Sequence, residues 1–146
     1  MKYDLEERLV EFAVLVIDVV DSLPRSRVGN HLAGQLVRSG TSPALNYGEA
    51  QGAESRNDFL HKMRIVLKEL RETRVALAII ERKNLSRGPG LIPKVSEECR
   101  QLISIFSKSI QTVKAKVSQR TSIFSIHHSP FRIAFVVGKE TMNVEG

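Results

Sequence analysis

Apolar residues recur at helical spacing through residues 59–80, and this stripe constrains the fold more than any other feature of the chain. Its members are three or four positions apart over about six turns, which places them on one face of an amphipathic helix. Ser55, with Asp58 three positions later, predicts the N-cap of this helix, Asp replacing the usual Glu or Gln. The stripe comprises Phe59, Met63, Val66, Leu67, Leu70, Thr73, Leu77 and Ile80.

Two further segments show the same period. Residues 4–23 predict a first helix that Pro24 ends, and its apolar face is broad enough to predict burial both in a bundle and against another subunit. Residues 94–118 predict a last helix with Ser96 as its N-cap, after a loop at residues 84–93 that contains two glycines and two prolines.

A second helix is predicted between these, with Asn30 as its N-cap. Pro43 lacks a backbone donor and clashes with the preceding turn, so we expect a kink or a restart there, with Thr41 or Ser42 capping the new turn. Gly52 should stop the helix near Gln51.

Four helices joined by short loops predict an all-α fold, an antiparallel up-and-down four-helix bundle over residues 1–119. Residues 120–146 are predicted to be a separate tail. The β-favouring run at 133–137 has no partner strand in a helical bundle. It can pair between subunits, pack as an irregular arm or be poorly ordered, and the last of these is the interpretation we favour.

Composition bounds the class of protein. The chain has 146 residues, enough for one domain with a sizeable core, and one cysteine, Cys99, which allows no internal disulfide. Neither a signal peptide nor an apolar run of about 20 residues is visible. We therefore expect a cytoplasmic protein with no membrane partner.

Charge is unevenly distributed along the chain. The formal net charge is +6; residues 1–23 carry 2 basic and 6 acidic side chains, whereas residues 56–83 carry 8 basic and 4 acidic ones. This balance permits binding of RNA or DNA through phosphate contacts, and a solvated helix face with local ion pairs is the alternative. The candidate nucleic-acid-binding residues are Lys62, Arg64, Lys68, Arg71, Arg74, Arg82 and Lys83, which spacing disperses over about half of the helix circumference.

No constellation typical of an enzyme is present. Asn46 and Glu49 share a helix face, and Glu69 lies beside the apolar stripe of the third helix. We interpret these three as a structural polar network rather than an acid site, because buried polar groups need partners and no nucleophile or base accompanies them. The histidines lack Glu-x-x-His spacing, and Cys99 lies on an apolar stripe. We predict no catalytic residue, metal, cofactor or small-molecule substrate.

Residues 38–72 carry a family resemblance. The segments Arg38-Ser39-Gly40-Thr41-Ser42, Asn46-Tyr47, Glu49-Ala50, Ser55, Asp58-Phe59, Lys62 and Lys68-Glu69-Leu70-Arg71-Glu72-Thr73 resemble the bacterial 23S ribosomal RNA intervening-sequence proteins. The resemblance covers about residues 5–118. Many members read Asn-Ile-Ala-Glu-Gly where this chain has Asn46-Tyr47-Gly48-Glu49-Ala50.

The resemblance implies a four-helix bundle that assembles as a ring-shaped homopentamer. A related group, the accessory variability proteins of retroelements, is basic and pentameric and binds nucleic acid and a reverse transcriptase. By analogy, the leading hypothesis is a homo-oligomer that binds RNA or DNA or joins a ribonucleoprotein. The alternative is a protein-interaction module or accessory factor that binds no nucleic acid.

Overall fold

A computed structural model describes residues 4–127 of the chain, with side chains described up to residue 119. The described residues form four α-helices: α1 (Leu5–Asp21), α2 (Arg27–Gln51), α3 (Arg56–Arg82) and α4 (Leu91–His127). Helix α1 packs against α2 and α4, and α3 also packs against α2 and α4. The diagonal pairs, α1 with α3 and α2 with α4, do not approach closely within the described part. The predicted all-α bundle is confirmed.

The paired residues of α2 and α3 show that these helices are antiparallel. Arg38 bonds to Glu69, whereas Glu49, further along α2, pairs with Lys62, which lies earlier on α3. Aliphatic side chains and two phenylalanines fill the interior between the helices. The largest fully buried side chains include Phe12, Leu36, Leu70, Leu77, Leu102 and Phe106.

Helix α3 has the predicted N-cap, but α2 does not. The Ser55 hydroxyl accepts a hydrogen bond from the Asp58 amide at 3.0 Å. The prediction of Asn30 as the α2 cap is wrong. The cap lies four residues earlier, at Ser26, whose hydroxyl accepts a hydrogen bond from the Gly29 amide at 3.0 Å.

Pro43 does not divide α2. The helix is continuous from Arg27 to Gln51, so the predicted restart is wrong, and neither Thr41 nor Ser42 caps a new turn. The Thr41 hydroxyl instead donates to the Val37 carbonyl at 2.7 Å. Gly52 follows the last helical residue, as predicted.

The predicted bounds of α4 are wrong at both ends. Helix α4 begins at Leu91, so Pro93 lies in the first turn, where a missing backbone donor costs nothing because those amides have no helical partner. Ser96 is buried inside the helix rather than at its cap. At the other end α4 continues to His127, past the expected helix end at residue 118. The run at 133–137 lies outside the described residues.

Helices α1 and α2 approach closely at Gly40. A Cβ atom built on Gly40 would lie 2.4 Å from Cγ1 of Val16, a fully buried residue of α1. Beside it, the Thr73 hydroxyl of α3 donates to the Ser39 hydroxyl at 2.9 Å. Residues 39 and 40 therefore set the register of α2 against both of its neighbours.

Candidate anion-binding pocket

An open pocket lies along α2 and α3. Its volume is about 850 Å³. Apolar side chains that include Leu32, Leu67, Val75 and Ile79 line part of it, and Val75 and Ile79 are 53% and 44% exposed. Four cationic side chains also line it, together with one carboxylate, Glu72; the cations are Arg38, Arg64, Lys68 and Arg71.

Arg38 joins α2 to α3 at the edge of this pocket. Its guanidinium donates to both carboxylate oxygens of buried Glu69, at 3.1 and 3.3 Å, and to Glu72 at 2.8 Å. The bond from Arg38 holds the pKa of Glu72 below its ordinary value, and the same bond raises the pKa of Arg38. This residue is thus committed to two carboxylates, and the pocket gains little free positive charge from it.

Three other cations provide the positive charge that is available to a partner. Arg64, Lys68 and Arg71 are spaced by four and three positions, so they share one exposed face of α3. Arg64 and Arg71 form no salt bridge with any described residue. Lys68 lies near enough to Glu72 that its charge contributes to the lowered pKa of that carboxyl. Two or three cations on one face fit a polyanion better than a single carboxylate.

The structure separates the remaining cations that the sequence grouped with these three. Lys62 forms a salt bridge with Glu49 on α2. Arg74 lies close enough to Cys99 on α4 for its charge to act on that thiol. Arg82 and Lys83 are exposed at the C-terminal end of α3 and do not line the pocket. Sequence reasoning did not include Arg38 and His31, which do line it, because only the packing of α2 on α3 brings them there.

The three residues predicted as a polar network do not bond to one another. Asn46 donates to the Ser42 carbonyl and hydroxyl within α2, at 3.0 and 2.8 Å. Glu49 and Glu69 each connect α2 to α3, but through separate cations, Lys62 and Arg38. Glu49 and Glu69 therefore contribute two independent ion pairs between α2 and α3, and Asn46 has a local role within α2.

Cys99 is fully buried, and its thiol donates to the Leu70 carbonyl at 3.2 Å. Burial raises the pKa of Cys99 to about 12, against a smaller opposing effect of Arg74 and Arg100. At pH 8 the thiolate fraction should therefore be about a thousandfold below that of an ordinary cysteine. We expect Ellman's reagent to label the native protein at least about a hundredfold more slowly than the guanidinium-unfolded chain, because the thiolate is the reactive form and little of it is present in the folded protein. Equal rates in the two states would contradict this assignment.

A second exposed surface lies on α1. Five residues spaced by three and four positions form one row, which we call the α1 row: Glu7, Val10, Val14, Ile17 and Asp21. Its three apolar members are 43%, 53% and 40% exposed. The buried residues of α1 are Leu9, Phe12, Val16 and Val19, so the row faces away from the core.

Within the described residues, no group of three or more His, Cys, Asp or Glu side chains could hold a metal ion. None of the described helices is long and apolar enough to cross a membrane.

These features define the chain as an all-α four-helix-bundle protein. The family description "23S rRNA-intervening sequence protein" matches residues 2–114, and the chain belongs to that family. A crystal structure of a protein of unknown function from the S23 ribosomal protein family of Bacteroides thetaiotaomicron is similar. Its TM-score is 0.67 and its sequence identity 27%, over 73% of this chain and 98% of that one. No protein of curated function matches the sequence.

Proposed function

We propose that this protein is a non-enzymatic, homo-oligomeric protein that binds RNA or DNA through the cationic pocket on α2 and α3. One observation carries the proposal: Arg64, Lys68 and Arg71 are exposed on one face, and Arg64 and Arg71 have no acidic partner among the described residues. Cations placed in this way can exchange salt counterions for backbone phosphates.

Three other facts support the proposal. The chain has a formal net charge of +6. The resemblance to the intervening-sequence proteins implies a pentameric assembly, and the retroelement accessory proteins related to that family suggest nucleic-acid binding by analogy. The carboxylates that an enzyme would use, Glu49 and Glu69, are both held in salt bridges. We place the protein in the cytoplasm, since its single cysteine is a free thiol.

Fluorescence anisotropy with a structured RNA at several salt concentrations tests the proposal. Wild type should bind at about 50 mM salt and weaken steeply as salt rises. The triple variant Arg64→Ala, Lys68→Ala and Arg71→Ala should bind at least about tenfold more weakly. Its slope of log K against log salt should be shallower by about 2, because each lost phosphate contact removes 0.7 to 0.9 from the slope.

A matched variant separates the pocket from overall charge. This control variant also loses three positive charges, but at exposed positions away from the pocket: Arg25→Ala, Arg56→Ala and Lys94→Ala. This variant should keep most of the affinity. Absence of wild-type binding at about 50 mM salt, where phosphate contacts are strongest, would contradict the proposed function. Equal losses in the two variants would contradict the assignment of the pocket.

A protein-interaction module that binds no nucleic acid is the second candidate, and the exposed apolar members of the α1 row favour it. A purified protein that binds no RNA or DNA in the anisotropy experiment, yet co-purifies with a defined protein partner from its native host, would support this candidate over the first.

A further inference from the structure

Part of the pocket on α2 and α3 is apolar, and contacts with backbone phosphates do not account for it. Val75 and Ile79 continue the exposed face of α3 beyond Arg71, and they are 53% and 44% exposed. Leu67 and Ala76, which are buried, also line the pocket. A partner that supplied phosphates alone would leave Val75 and Ile79 in water, so this surface indicates a partner with an apolar part.

Cationic and apolar side chains follow each other along α3. Arg64 and Arg71 are seven positions apart, which corresponds to about 10 Å along a helix. Val75 comes one turn, about 6 Å, after Arg71. The step from the last cation to the first apolar side chain is therefore comparable with the step from phosphate to base across the sugar of one nucleotide.

The part of the pocket that α2 contributes is largely polar. His31 and Gln35 line it, and Glu72 of α3 adds a carboxylate. The side-chain carbonyl of Gln35 accepts a hydrogen bond from Arg38 at 3.5 Å, and the NH₂ group of the same amide has no partner among the described residues. An imidazole, an amide and a carboxylate together supply donors and acceptors for the edge of a base.

Base pairing decides whether a nucleic acid can match both parts of the pocket. In a duplex the bases are stacked and paired inside, so a protein meets phosphates, sugars and the base edges in the grooves. An unpaired nucleotide exposes the flat face of its base, which side chains can cover. The pocket volume, about 850 Å³, also lies in the range of pockets that bury a small ligand. An unpaired nucleotide therefore fits the cations and the apolar part, whereas a duplex fits only the cations.

We propose that the pocket binds an unpaired nucleotide of an RNA or DNA strand. Phosphates on either side of this nucleotide contact the three cations of α3, and its base packs against Val75 and Ile79. No aromatic side chain lines the pocket among the described residues, so aliphatic side chains and the guanidinium plane of Arg71 cover the base. This mode of binding rests on the proposed function, and it narrows the partner to a single strand, loop or bulge.

Fluorescence anisotropy with two matched RNA probes tests this mode of binding. The first probe is an unstructured single strand of about 12 nucleotides, within the usual site sizes for single strands, and the second is the same strand annealed to its complement. At about 50 mM salt, wild type should bind the single strand at least tenfold more tightly, although the duplex carries the higher charge density. Equal affinities, or tighter binding of the duplex, would overturn the proposal.

Removal of the apolar part should affect the single strand alone. Val75→Ser with Ile79→Ser keeps every charge in the pocket, and both positions are exposed, so the core is unchanged. This serine variant should bind the single strand roughly tenfold more weakly, at the low end of what one stacked base contributes, and should bind the duplex as wild type does. Its slope of log K against log salt should equal that of wild type, because no phosphate contact is lost.

A matched control removes apolar side chains elsewhere. Val37→Ser with Leu45→Ser changes two residues of α2 that are exposed and do not line the pocket, so it should leave both affinities unchanged. Far-UV circular dichroism verifies that each variant folds. Wild-type affinity of the serine variant for the single strand, or an equal loss in the control, would contradict the placement of the base.

An abasic probe shows whether the base is the group that the apolar part binds. A single strand without its bases keeps the sugar–phosphate chain and its charges. Wild type should bind this probe about tenfold more weakly than the intact strand. The serine variant should distinguish the two probes by less than about threefold, because the contact is already missing. Equal discrimination by the two proteins would place the base outside the apolar part.

The same probes separate this mode of binding from the proposed function. If neither the single strand nor the duplex binds at about 50 mM salt, the proposed function is wrong, and the unpaired-nucleotide site is wrong with it. If both bind equally and the serine variant binds like wild type, nucleic-acid binding stands and the unpaired-nucleotide site alone is wrong.

Discussion

Replacing Gly40 with alanine should destabilise the bundle by about 1–3 kcal/mol. The new Cβ would lie 2.4 Å from Cγ1 and 2.8 Å from Cγ2 of Val16. Val16 is fully buried and β-branched, so it has one strongly preferred rotamer in a helix and cannot turn away. Helices α1 and α2 must instead move apart. Guanidinium unfolding at a fixed protein concentration measures the effect.

Gly34→Ala is the matched control on the same helix. A Cβ at Gly34 would meet nothing within 4 Å, so alanine should raise the free energy of unfolding by up to about 1 kcal/mol through its better helix propensity. Adding Val16→Ala to Gly40→Ala should recover part of the loss, because it removes the two nearest of the three Val16 atoms that clash. A Gly40→Ala variant as stable as Gly34→Ala would show that the α1–α2 contact tolerates a methyl group.

Replacing Phe106 with alanine should have the largest effect of a single substitution, about 3–5 kcal/mol. Phe106 is fully buried in the core, and its ring meets the edge of the Tyr47 ring at a centroid distance of 5.6 Å and an angle of 86°. The substitution leaves a cavity in the core of the bundle and removes this aromatic contact. Thermal or guanidinium unfolding measures the loss.

Phe106→Leu separates lost volume from lost aromaticity. Leucine fills most of the space, so it should cost about 1–2 kcal/mol, less than half of the alanine effect. Equal costs for the two substitutions would mean that the contact with Tyr47, rather than the cavity, accounts for most of the stabilisation. A cost below about 1 kcal/mol for alanine would mean that the core collapses into the space.

Local signals were sufficient to predict the fold class and most of α3. Its apolar period is unbroken, and Ser55 is a strong cap with Asp58 three positions later. The other boundaries failed where two local signals compete. Ser26 and Asn30 are both good cap residues, and the local sequence does not choose between them. Pro93 is a helix breaker in general, but in a first turn it interrupts no hydrogen bond.

The candidate site depended on tertiary register, which the sequence pattern does not contain. Spacing alone puts Arg64, Lys68 and Arg71 on one face, yet the prediction treated seven cations together and so described them as dispersed. The pairing of Arg38 with Glu69 could not be predicted, because it depends on how α2 slides along α3. That register is set by the close contact at Gly40 and by the bond between Ser39 and Thr73.

The burial of Cys99 has a practical consequence. The chain contains one native cysteine, and it lies at the centre of the bundle as a protonated thiol. A cysteine introduced at an exposed position, such as Val14→Cys or Val75→Cys, can therefore be labelled with a spin label or fluorophore while the buried native thiol does not react. Distances between labelled copies then become measurable in the otherwise unaltered protein.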